Sequence, residues 1–103
     1  MKNALINLGI CYLERNRFDL ADKYLTQAMA QGPENAVVLL NLGVLRRKQC
    51  LRKEAIELFT TALGIEPQYS QALRNLGLIS LGEGDPKIAA DAFMKLIANK
   101  VIT

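Results

Sequence analysis

Apolar residues recur three and four positions apart along most of this chain. Leu5, Leu8 and Tyr12 fall at i, i+3 and i+7, the spacing of one helical face. Leu20, Tyr24, Leu25 and Ala28 set up the same kind of face a little further on. Asn16 stands between the two patterns, and Asn favours the left-handed conformation that ends a helix. The opening third of the chain therefore predicts two helices joined by a short turn.

That pattern returns twice. Asn-Leu-Gly occurs at Asn7-Leu8-Gly9, Asn41-Leu42-Gly43 and Asn75-Leu76-Gly77, with 34 residues between successive glycines. Leu5, Leu39 and Leu73 keep this register, as do Ala21, Ala55 and Ala89. Asn16, Cys50 and Gly84 share the turn position, so a mildly strained backbone is expected at Cys50. Gly32-Pro33 and Glu66-Pro67 stop the second helices of the first two units, because proline cannot continue a helix. Asp85-Pro86 marks a restart, with Asp able to cap and Pro tolerated in the first turn. A fixed period of this length means stacked supersecondary units, which mostly bind other chains. The units run over residues 2–35, 36–69 and 70–103, within a single domain.

The recurring glycine needs a physical reason, since Gly within a helix costs about 1 kcal/mol relative to Ala. Its register predicts a close helix–helix approach with no room for a side chain. Ala21, Ala55 and Ala89 are the expected opposite surface, letting each helix pair nest as an antiparallel hairpin.

This register resembles the tetratricopeptide repeat, a family of 34-residue helix–turn–helix units. Leu5, Leu8-Gly9, Tyr12, Ala21, Leu25, Ala28 and Pro33 carry the family pattern in unit one. Leu39, Leu42-Gly43, Ala55, Phe59, Ala62 and Pro67 carry it in unit two, and Leu73, Leu76-Gly77, Ala89 and Phe93 in unit three. The aromatic site departs from the pattern at Arg46 and Ser80; Leu96 replaces an Ala, and Val101 stands at the proline position. The last helix is therefore expected to run on. The resemblance implies an all-α fold: a right-handed α-solenoid of three helix–turn–helix repeats, with no strand.

The first helices carry a second set of apolar residues: Ile6, Ile10 and Leu13, then Leu40 and Val44, then Leu78 and Leu81. The family's stacking would place them along the concave surface, beside a ladder of Asn7, Asn41 and Asn75. An amide offers both donors and an acceptor, which suits the backbone of an extended peptide. The expected peptide-binding set is Asn7, Ile10, Asn41, Val44, Arg47, Lys48, Arg74, Asn75 and Leu78. Its partner would be a protein or peptide segment, apolar with some acidic character. Packing between repeats is the competing role for the same residues. The family's clamp for a C-terminal carboxylate uses Lys and Asn at positions held here by Ile6 and Ile10, so that mode is not expected.

Composition narrows the remaining classes. The net charge of +3 is a mild excess, below that of a dedicated nucleic-acid module. Arg46-Arg47-Lys48 with Arg52-Lys53 is the densest basic cluster, but no aromatic residue interleaves with it to stack on bases, which leaves a nucleic-acid-associated role through residues 46–53 as a distant alternative. Asp19/Asp22 and Glu54/Glu57 fall at the starts of second helices, where negative charge is stabilising; the structural reading outweighs acid–base chemistry. Gly82-Glu83-Gly84-Asp85 lies between helices and is no nucleotide fingerprint. There are no histidines, and Cys11 and Cys50 lack metal-ligand spacing. The expectation is a non-enzyme without catalytic residues, cofactor or metal, holding reduced thiols in the cytoplasm, with no membrane insertion. Phe93, Ile97 and Val101-Ile102 leave the last helix without an apparent cover. Two expectations follow for the ends: a fragment of a longer array, or a homo-oligomer joined through uncapped repeats; the alternative function is then an assembly subunit that self-associates or docks on a folded partner through those ends.

Overall fold

The computed structural model describes residues 2–32 and 35–102, with the side chains of 99–102 outside the description. Six helices follow one another: α1 Lys2–Glu14, α2 Phe18–Gln31, α3 Ala36–Lys48, α4 Arg52–Ile65, α5 Ser70–Gly82 and α6 Pro86–Ile102. No strand occurs among the described residues. Each odd helix pairs with the even helix that follows it, and each pair packs on the next.

The three hairpin turns are built alike. Asn16, Cys50 and Gly84 adopt φ of 59°, 64° and 77°, the left-handed region expected of the turn register. The next residue then turns its N–H back onto the ending helix. Arg17 N donates to Tyr12 O at 2.8 Å, Leu51 N to Arg46 O at 2.8 Å and Asp85 N to Ser80 O at 2.9 Å. These bonds satisfy carbonyls that a helix end leaves open. Local chemistry sets the other ends. The Asn35 carboxamide oxygen accepts from Val37 N and Val38 N at 2.9 and 3.1 Å, capping α3. Asp85 Oδ1 accepts from Ile88 N at 3.4 Å, and α6 starts at Pro86 as expected. α4 stops at Ile65, ahead of Glu66-Pro67. Pro33 and the side chains of Val101 and Ile102 lie outside the described residues. α6 runs for 17 residues against 14 in α2 and α4, so the last helix does continue.

The glycines mark the close approach, but not against the alanines. A Cβ at Gly9 would meet Leu25 Cγ at 2.6 Å, one at Gly43 would meet Phe59 Cε1 at 2.6 Å, and one at Gly77 would meet Phe93 Cε1 at 2.7 Å. The gap left by each glycine is filled by the large residue four positions beyond the alanine. Ala21, Ala55 and Ala89 are buried nearby.

Two apolar clusters form the core. One joins the first and second repeats, where Ile6, Leu13 and Leu25 meet Val38, Leu42 and Leu45. The other joins the second and third, where Leu39, Leu40 and Phe59 meet Leu73, Leu76 and Ile79. Met29, Val44 and Leu58 touch both. Burying side chains of this size stabilises by about 1.5–3 kcal/mol each. This arrangement corrects the expected faces in two places. Ile6, Leu13 and Leu40 are buried between repeats instead of lining a groove. Leu8 is 41% exposed, whereas its counterparts Leu42 and Leu76 are 6% and 8% exposed. The side of the helix that carries Leu42 and Leu76 faces the preceding repeat, and in α1 that side faces away from α3.

The aromatic site behaves differently in each repeat. Tyr12 stacks on Tyr24, with ring centroids 5.7 Å apart and planes 12° from parallel. Arg46 instead reaches across the repeat boundary to Asp22 Oδ1 at 3.3 Å and along its own repeat to Glu54 Oε2 at 3.4 Å. It also donates to Gln49 Oε1 at 3.0 Å. Ser80 is fully buried at the same position.

Candidate functional site

The glycines orient the first helices. Gly9, Gly43 and Gly77 face the second helix of their own pair. At 3.6 residues per turn, the residue two positions earlier points about 160° away from that contact. Asn7, Asn41 and Asn75 hold this position, and α3 packs on both α1 and α5. The three asparagines therefore form a row on the free side of the first-helix layer. Asn7 is exposed, and Asn41 and Asn75 are half-buried.

Two of the three carboxamides are anchored. Asn41 Nδ2 donates to Val37 O at 2.8 Å, and Asn75 Nδ2 donates to Gln71 O at 2.8 Å. Each bond runs one turn back along the residue's own helix. It uses one of the two amide protons and leaves the other, with both lone pairs of Oδ1, for a further partner. A side chain held this way has lost its rotamer freedom before any ligand arrives.

Turn by turn, the same register places Ile10, Val44 and Leu78 beside the asparagines, with Glu14 and Lys48 one turn further on. Ile10 and Val44 are half-buried, and Leu78 is exposed. Lys48 is exposed on this face. Val37, one turn before Asn41 and exposed, was absent from the expected set. So were its counterparts Asn3 and Gln71, both exposed. The spacing 37, 41, 44, 48 is itself a helical stripe, and it is the signal that locates them.

Two of the expected cations stand apart from this row. Arg74 shares its register with Ile6 and Leu40, which are buried against the following repeat. Arg47 shares its register with Leu13, buried in the same way. Both arginines are exposed and lie along the seam side of their helices, not in line with the asparagines. The basic cluster is also partly neutralised. Arg46 is held by Asp22 and Glu54, and Arg52 Nε lies 3.7 Å from Glu83 Oε1. Asp22 and Glu54 thus serve as ion-pair partners. Among the described residues, no group of three His, Cys, Asp or Glu side chains could hold a metal ion. No helix among them is long and apolar enough to cross a membrane.

Comparison with known proteins agrees with this construction. The family model described as tetratricopeptide repeat matches residues 4–37. Probable UDP-N-acetylglucosamine–peptide N-acetylglucosaminyltransferase SPINDLY of Hordeum vulgare is 34% identical over 81 residues, covering 79% of this chain and 9% of that protein. Its counterpart in Solanum lycopersicum is 36% identical over 76 residues, covering 74% of this chain and 8% of that protein. The chain thus spans less than a tenth of the length of these relatives, and the match is no evidence of transferase activity in this chain. Among solved structures, MamA of Desulfovibrio magneticus RS-1 superimposes with a TM-score of 0.90 at 23% identity, over 97% of this chain and 56% of that one. MamA AMB-1 gives 0.81 at 26% identity, over 95% and 54%. With three in-phase helix–turn–helix units, left-handed turns at one register and a glycine seated on a large residue in each, the chain belongs to the tetratricopeptide-repeat family and is built as a protein–protein interaction module.

Proposed function

We propose that the chain binds an extended segment of a partner protein across the asparagine row, as an adaptor or chaperone-like scaffold. The carrying observation is the anchoring of Asn41 and Asn75 at 2.8 Å to their own helices. Each presents an N–H and an oxygen side by side, the complement of a peptide unit. Such contacts hold any sequence in extended form. Ile10, Val37, Val44 and Leu78 then select apolar side chains between them. Lys48 within the row, and Arg47 and Arg74 along its seams, favour acidic residues in the same segment. The plant relatives are named as enzymes acting on peptides, which agrees with polypeptide as the partner class.

The test is a titration of one captured peptide against the wild type and Asn41→Ala, with a melting curve for each. Asn41→Ala should weaken binding by about 1 kcal/mol or more, as loss of a ligand hydrogen bond does. Its melting should change little, since a half-exposed side chain contributes little to the core. Arg74→Glu should weaken an acidic peptide further, and more at low salt than at high. Unchanged affinity with an earlier melt would assign Asn41 to packing between repeats and remove the reading.

A further inference from the structure

The first two hairpin turns share one edge of the stack. Arg46, near the end of α3, reaches Asp22, near the start of α2, so the two turns lie side by side. Residues 14–19 and 46–54 hold seven cations and three carboxylates, an excess of four against +3 for the whole chain. Of these carboxylates Glu54 is taken by Arg46, while Arg52 is taken by Glu83 of the third turn. Arg15, Arg17, Arg47, Lys48 and Lys53 are exposed and have no ion pair among the described residues. Glu14 and Asp19 are the carboxylates left beside them. Leu51 follows Lys48 in the second turn and is 44% exposed. It holds the N-cap of α4, a position that favours Ser, Thr, Asp or Asn, and gives that helix no side-chain cap. Arg17 does the same for α2. In the third turn this register is Asp85, whose carboxylate does cap α6. The first two turns thus forgo a cap and display a cation and an apolar side chain instead. Further repeats would not cover this edge. The second repeat already has a repeat on each side, and Arg47, Lys48, Leu51 and Lys53 are exposed all the same.

We infer that this edge is a second docking surface, and that its occupant is an acidic segment of a partner protein with a large apolar side chain set among its carboxylates. Charge complementarity selects that chemistry. Arg15, Arg17 and Lys53 supply donors for carboxylates, and an arginine takes one with two parallel N–H bonds. Leu51 supplies an apolar contact that a phosphate backbone would leave unused. Glu14 and Asp19 repel a continuous run of phosphates, whereas a polypeptide spaces its charges. The edge's one aromatic residue, Phe18, is half-buried against the core and offers no platform for a base. Attraction between exposed charges steers encounter and fixes register, and it weakens with salt. The asparagines lie more than one helical turn back along α1 and α3, so docking here is independent of peptide binding at their row. Arg47 and Lys48 border both surfaces and are left unchanged in the test.

The test titrates the full chain against a short fluorescent peptide of Asp and Glu around one central Leu, read by anisotropy at low and high salt. The same peptide with Ser for Leu, and a single-stranded oligonucleotide of equal length, are measured beside it. Leu51→Asp and Arg17→Asp each install the cap that Asp85 provides in the third turn, so both variants should melt no lower than the wild type. Each should nevertheless weaken the Leu peptide by about tenfold, because a favourable contact becomes a repulsive one. Should Leu51→Asp or Arg17→Asp fail to fold, Leu51→Ser or Arg17→Ser takes its place. The Ser peptide should bind more weakly than the Leu peptide, and high salt should weaken both. Asn41→Ala should leave the affinity as it is. No binding by the wild type, affinity that survives either turn substitution, or affinity indifferent to salt would overturn the inference. So would a Ser peptide that binds as well as the Leu peptide, or an oligonucleotide that binds more tightly than either. Loss of affinity in Asn41→Ala would do the same, since that places the peptide on the asparagine row.

Discussion

Gly43 lies against the ring of Phe59 so closely that a β-carbon would stand 2.6 Å from Cε1 and 2.8 Å from Cδ1. Phe59 is fully buried, so the ring has nowhere to turn. Gly43→Ala would gain about 1 kcal/mol of helix propensity, yet the clash outweighs it, because overpacking costs about 1–3 kcal/mol. A lower melting temperature is expected for Gly43→Ala, and a much lower one for Gly43→Leu. Adding Phe59→Leu should restore part of the loss in Gly43→Ala. A Gly43→Leu protein that melts like the wild type would show that this contact does not constrain the hairpin.

The hairpin turns allow a second comparison. Cys50 and Gly84 hold the same left-handed conformation, at φ 64° and 77°. A side chain there costs about 1–2 kcal/mol unless its residue tolerates the geometry. Cys50→Gly should therefore raise stability by about 1 kcal/mol, and Gly84→Ala should lower it by a similar amount. Denaturant midpoints at constant slope would measure both. Equal midpoints for the wild type and Cys50→Gly would mean that the turn stores no strain.

The turns were readable in the sequence because each depends on one residue and its immediate neighbours. Asn16, Cys50 and Gly84, the cap at Asp85 and the stop at Glu66-Pro67 all act within a few positions of chain. The faces of the first helices were harder to read. Each such helix has up to three neighbours: its own second helix, the repeat before and the repeat after. Apolar residues then appear at several angles, and their period alone does not say which neighbour each one meets. Leu5, Leu8 and Tyr12 looked like the buried stripe of α1, but Ile6, Gly9 and Leu13 are the residues it buries. The glycine's partner was missed for a related reason: small residues suggest small opposites, whereas here a large residue fills the gap. The asparagine row was legible as a register. The bonds to Val37 O and Gln71 O were not, since they depend on side-chain rotamers.

Ser80 is fully buried, and its hydroxyl oxygen has no hydrogen-bond partner among the described residues. At the same register Tyr12 stacks its ring on Tyr24 and Arg46 carries its guanidinium to Asp22 and Glu54, reaches too long for a serine. An unsatisfied buried hydroxyl costs about 1–3 kcal/mol. Ser80→Ala removes that cost with little change of volume, so it should raise the melting temperature. Ser80→Leu should lower it, because the site is closed on all sides. A Ser80→Ala protein that melts earlier than the wild type would mean that the hydroxyl is satisfied in solution.

Tyr69 gives the fold a pH dependence with a defined sign. It precedes α5, packs against the cluster between the second and third repeats and is half-buried. Burial pushes its phenol above the usual value of 10.0, and the nearby Glu66 carboxylate adds to the shift. The native state then keeps the phenolic proton to higher pH than the unfolded chain does. Above about pH 10 the unfolded state binds fewer protons than the native state, so stability falls as pH rises. Below that point this contribution is fully present. Thermal melts from neutral pH to beyond pH 10 should show the decline in the wild type and a shallower one in Tyr69→Phe, which has no proton to lose. Glu66→Gln should flatten the curve to a lesser degree, since it removes the smaller of the two causes. The rest of the chain is common to the wild type and Tyr69→Phe, so the difference between those two curves isolates the phenol. Parallel curves for wild type and Tyr69→Phe would show that the phenol titrates alike in the folded and unfolded chains.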